Sequence, residues 1–230
     1  MFFRNIVLCS FVAAFFASLA YGFYQQTMVT PIILQAELFE IPEAEAGPEP
    51  WSPEDGLERN LFTFSADFLT AFAYALILLS LMASRPQITA LQGIAWGLAG
   101  YLVFFAAPAL GLPPEIPGMQ AADLVARQIW WLVTVIFTAG GLWILAFSKM
   151  PLRLVSVLLF IAPFLIGAPQ PEKHGFANPE PMAVEKLEAL WHQFILQSCI
   201  ANALLWLIIG VISAWLTAKY IMPLNEQQHS

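Results

Sequence analysis

A chain of 230 residues that is 59% hydrophobic and only 11% charged falls outside the range of soluble domains, whose charged share is near a quarter. Its 9 basic and 16 acidic residues give a net charge of −7, which excludes the concentrated basic surface that nucleic acid requires. Two cysteines exclude a disulfide scaffold or a CxxC thiolate cluster, and no Walker-type phosphate loop is present.

Apolar runs long enough to approach or cross roughly 30 Å of hydrocarbon occupy residues 6–24, 61–83, 89–108, 128–148, 154–168 and 193–218. They predict an all-α polytopic integral membrane helix bundle, a single membrane domain over residues 1–230 with six transmembrane helices. The first run also fits a signal peptide, with Arg4 as its positive region and Ser18-Leu19-Ala20 as a cleavage site. Its apolar character continues through Tyr24, which favours a retained span. The fifth run is short and contains Pro163. At 1.5 Å per residue it reaches about 22 Å and crosses only if Arg153 snorkels. Five spans with a re-entrant hairpin are the alternative.

With the N-terminus in the cytoplasm, Arg4, Arg85, Lys149, Arg153 and Lys219 lie inside, and Arg59, Arg127, Lys173 and Lys186 outside. The strings AAPALGLPPE (106–115) and IAPFLIGAPQPE (161–172) end two runs alike, which places both ends on one face and favours six spans. Arg59-Asn60, Arg127-Gln128 and His192-Gln193 open three incoming helices, as three helical-hairpin repeats would. Interfacial polar anchors beside Trp130, Trp131 and Trp191 produce the same pattern without repetition.

This topology puts every acidic residue except Glu226 on the outer side or at outer helix ends. The first outer loop (25–60) is acidic and Pro-rich, and the loops 109–127 and 169–192 are Pro-rich. Such an acidic loop either concentrates cations by electrostatic focusing or is simply solvated. Pro31 precedes Glu37, Pro108 precedes Glu115 and Pro163 precedes Glu172. Each proline either frees a carbonyl that joins the carboxylate in a hard oxygen site or merely stops its helix.

Asp67 is the deepest acid, and an ionisable group at membrane depth points to function. It acts as a cation ligand or proton carrier, or else pairs with Arg59 or Arg127. Asp123 and Arg127 are spaced to pair on one helix. His192 is the one histidine placed to serve as a metal ligand, with a snorkelling interface residue as the alternative. Asn202 either bonds a neighbouring helix or lines a path. Glu37, Asp67, Glu115, Asp123 and His192 are therefore the candidate transient metal ligands, with Arg127 holding the outer mouth through Asp123. Gly93, Gly97 and Gly100, and likewise Ala13 and Ala17, form small-residue packing seams. Cys9 and Cys199 lie at different heights and read as packing residues. No mid-span lysine, paired histidines, or nucleophile and base set is present, so neither a bound haem or retinal nor an enzyme is expected. No permanently bound cofactor is expected; the divalent cation is cargo.

The strings IILQAE (32–37), PPEIPGMQAADLVARQIWW (113–131), LIGAP (165–169) and NALLWLIIG (202–210) resemble the CbtA family of predicted cobalt transporter subunits, over nearly the whole chain. The resemblance implies a bacterial inner-membrane protein, a small single-span CbtB partner with a histidine-rich segment, a link to cobalamin synthesis, and cobalt as the cation. Many relatives carry histidines in the first outer loop and before LIGAP; here that loop has none and Phe164 stands at that position. Carboxylates in place of imidazoles predict a harder, less cobalt-selective site. The expected function is divalent cation uptake, and a non-transporting scaffold that docks a metal-binding partner through the small-residue seams is the competing class.

Overall fold

The structure, a computed structural model, describes residues 2–40, 51, 53–54, 56–85 and 87–223. It is all-helical: α1 (Phe2–Tyr24), α2 (Thr30–Glu37), α3 (Leu57–Ala83), α4 (Ala90–Tyr101), α5 (Ala107–Gly111), α6 (Leu124–Phe147), α7 (Arg153–Ile166) and α8 (Pro181–Leu216). Five helical runs are long and apolar enough to cross a membrane: Phe2–Glu37, Leu57–Ala83, Ala90–Gly111, Leu124–Phe147 and Pro181–Ile221. Only 28% to 39% of the most apolar stretch of each is buried. Leu8, Phe15, Leu69, Ile136 and Leu158 accordingly stand exposed, as on a bundle whose solvent is lipid. The fifth expected span, α7, has 14 residues, about 21 Å of helix.

Three π turns interrupt the long helices at Gln25–Val29, Leu102–Ala106 and Thr217–Ile221. Each is followed, two residues after its end, by a proline: Pro31, Pro108 and Pro223. A proline ring clashes with the carbonyl four residues back and offers that carbonyl no N–H, so the turn before it widens instead of breaking. Of the two readings of Pro31 and Pro108, the one in which each merely stops its helix is corrected. Helix continues through α2 to Glu37 and through α5 to Gly111. The first part of the expected 25–60 loop is thus helical, while Glu43, Glu45, Glu49 and Asp55, the core of the expected cation-focusing stretch, lie outside the described residues.

The last helix starts at Pro181, twelve residues before the uncharged run at Gln193. Ala183, Leu187 and Leu190 are buried at helical spacing while Glu185, Lys186 and Glu188 are exposed. This extension is amphipathic, and a scan for uncharged segments passes over it.

The described residues form two compact units, one drawn from 1–27, 47–100 and 200–230, the other from 28–46 and 101–199. In the first, α1 packs along α3 through small residues: Ser10, Ala13, Ala17, Ser18, Ala71 and Ala75 have no exposed surface. The α4 glycines meet α8 just as closely. A Cβ on Gly93 would lie 2.6 Å from Ala214 Cβ, and one on Gly97 would lie 2.5 Å from the Trp206 carbonyl oxygen. Gly100 receives the Trp206 ring. Both predicted seams are therefore filled by the chain's own helices, where close backbone approach supplies the packing that lipid cannot.

In the second unit, α6 and α7 pack side by side, with the Phe160 ring set into the space left by Gly141. The buried Trp130 indole N–H donates to the Pro163 carbonyl oxygen at 3.2 Å. The loops expected at 109–127 and 169–192 are tied together: Gln120 N–H donates to Gly175 O at 2.9 Å, and Ala177 N–H to Gly118 O at 3.0 Å. Beneath them Ile32, Ala36, Ile116, Leu187 and Leu190 form a separate small core.

Candidate functional site

The predicted site residues divide between the two units. Asp67 and Asn202 belong to the first; Glu37, Glu115, Asp123, Arg127 and His192 belong to the second.

Asp67 sits on α3 ten residues past Leu57, about 15 Å along the helix axis. It is half-buried, and its Oδ2 atom is buried without a hydrogen-bond partner. On α1 the facing residue is Gly22. A Cβ there would stand 3.7 Å from Asp67 Oδ2 and 3.7 Å from the Phe64 ring, so the glycine leaves a methyl-sized opening beside the oxygen. Next to it, the Tyr21 hydroxyl lies within electrostatic range of Asp67 and close to the side-chain amides of Gln25 and Asn202. Nearer the α3 start, Gln26 Nε2 donates to Asn60 Oδ1 at 3.2 Å. Tyr21 and Gln25 are absent from the sequence-based candidates. The visible signal was the polar Gln25-Gln26-Thr27 step at the end of an apolar run, with Thr27 four residues before Pro31.

In the second unit Asp123, Glu115, Arg127 and Trp191 are already engaged. Asp123 is exposed and caps α6, accepting from Ala126 N–H at 2.9 Å. Arg127 does not pair with Asp123 as expected. Its Nη2 instead lies 2.8 Å from Glu115 Oε2, with 29% and 26% of the two side chains exposed. The cap holds the Asp123 carboxylate on the helix backbone, and the loop before α6 brings Glu115 within reach of the guanidinium. That loop is fixed in turn by Trp191, whose indole N–H donates to Pro114 O at 2.9 Å. His192 is exposed, with its ring tilted on Trp191 at 5.4 Å. Glu37 is half-buried at the end of α2.

Among the described residues no three His, Cys, Asp or Glu side chains gather as a metal-binding group. Cys9 and Cys199 are free.

Long apolar helices with lipid-facing side chains, closely packed small-residue seams and an acid at membrane depth define a multi-pass helical membrane protein. The chain belongs to the CbtA family: residues 3–218 match the family model described as "Probable cobalt transporter subunit (CbtA)". No curated protein and no solved structure matches it.

Proposed function

We propose that this chain is the polytopic subunit of a divalent cation uptake system in the bacterial inner membrane, with cobalt as cargo and its N-terminus in the cytoplasm. The observation that carries this reading is the family match over residues 3–218. Since the family is described as a subunit, a small single-span CbtB-like protein is the partner we propose. The chain is not proposed to be an enzyme.

The structural support is Asp67. A carboxylate in an apolar span is costly, and one whose buried oxygen has no partner is destabilising unless function retains it. We assign it as the ion-handling carboxylate within the membrane, flanked by Tyr21, Gln25 and Asn202. Glu37 and His192 are proposed as the weak collecting ligands outside it; Glu115 and Asp123 serve only when their present partners exchange. A divalent ion entering down the membrane potential gains about 4.6 kcal/mol per 100 mV, twice the value for one charge. The competing scaffold would dock a partner through the Gly93, Gly97 and Gly100 seam or the Ala13 and Ala17 seam, and both are covered by the chain's own helices.

Uptake of radioactive cobalt into vesicles reconstituted with this chain, under an inside-negative potential, tests the proposal. Saturable uptake above that of empty vesicles is expected. Flux equal to empty vesicles, with and without the single-span partner, would leave the scaffold.

A further inference from the structure

The second unit contains a groove of about 520 Å³ between the Leu102–Leu112 stretch and the first two turns of α6. That volume is within the roughly 300–1,000 Å³ typical of ligand sites. Its walls are apolar, with Phe104 and Phe105 on one side and Leu124 and Leu132 on the other. Leu124 and Leu132 are 62% and 52% exposed, so this wall is open to the surrounding solvent, which for these helices is lipid. At one end the groove reaches the Glu115 and Arg127 pair.

The geometry points to a binding site for a zwitterionic phospholipid with a primary ammonium headgroup. One acyl chain lies in the groove, the lipid phosphate meets Arg127, and the ammonium meets Glu115. The argument is one of matched charge. The pair has no net charge, so a purely anionic headgroup gains at Arg127 and is repelled by Glu115. A zwitterion satisfies both poles, and each side chain is about a quarter exposed and able to accept a second partner. A primary ammonium donates hydrogen bonds to the carboxylate, and a quaternary choline has none to give. The charged rim lies beside the start of α6, four residues before Trp131, which lines the groove; this is the usual level of interfacial aromatics and headgroups. Glu115 and Arg127 thus do more than brace the loop. They select the lipid that seals this face.

Native mass spectrometry of the full chain, equilibrated with equal amounts of phosphatidylethanolamine, phosphatidylcholine and phosphatidylglycerol, tests the inference. The wild type should retain phosphatidylethanolamine about tenfold over the other two, the scale of one charge-assisted contact. The doubly neutral E115Q/R127Q variant should retain all three equally while unfolding at the wild-type temperature. Ala109→Phe, which fills the groove and keeps the ion pair, should lower retention of every lipid. Equal retention by the wild type, a preference for phosphatidylglycerol, or unchanged phosphatidylethanolamine retention in E115Q/R127Q would each overturn the site, as would a co-purifying polypeptide in place of lipid.

Discussion

The two units treat buried polarity in opposite ways. In the second, the polar groups hold the structure together: Asp123 holds the α6 backbone, Glu115 holds Arg127, Trp130 holds Pro163 and Trp191 holds Pro114. In the first, helices approach through glycine and alanine, and Asp67 keeps a buried oxygen that nothing in the described residues satisfies. Groups that are paired contribute to stability; a group left open at membrane depth lowers it and is explained by what it binds. The comparison therefore assigns anchoring to the paired groups of the second unit and ion handling at membrane depth to Asp67 in the first.

Substitutions can break that comparison. The largest structural effect is expected for Gly97→Leu, because its side chain would drive into the Trp206 backbone. A loss of about 3 kcal/mol or outright misassembly is predicted, read as thermal unfolding or yield in detergent. Asp67→Asn is predicted to cut cobalt uptake at least about tenfold, the equivalent of one lost charged contact, with Tm unchanged or raised. Trp130→Phe, which leaves the Pro163 carbonyl oxygen without its donor, should cost about 1–2 kcal/mol in an unfolding assay. Asp123→Ala should cost about 1 kcal/mol through the lost cap, and Asp123→Asn far less, since asparagine caps as well. Smallest of all is Glu115→Gln. Its partly exposed ion pair is worth less than about 1 kcal/mol to stability.

Much of the fold was legible because the bilayer imposes a length rule. Long apolar runs were found at the right places, and the glycine and alanine seams followed from spacing alone. What was not legible had a physical cause in each case. By the usual rule Pro31 and Pro108 stop their helices, whereas here the turn before each widens and the helix continues. The amphipathic start of α8 was hidden by its own charges. The Arg127 partner was misassigned because spacing along a helix favours Asp123, and only the folded loop shows that Asp123 is engaged as a cap while Glu115 comes close. Asp67 was visible as an acid in an apolar run. Its companions Tyr21 and Gln25 were not, since only packing of α1, α3 and α8 residues reveals which polar groups meet.

The most direct test sets Asp67→Asn beside Trp130→Phe in the same vesicle preparation, with cobalt uptake and thermal unfolding measured for both. The account predicts a double dissociation: the first variant keeps its Tm and loses uptake, and the second loses stability and keeps uptake per folded molecule. An Asp67→Asn protein that carries cobalt at the wild-type rate would contradict it.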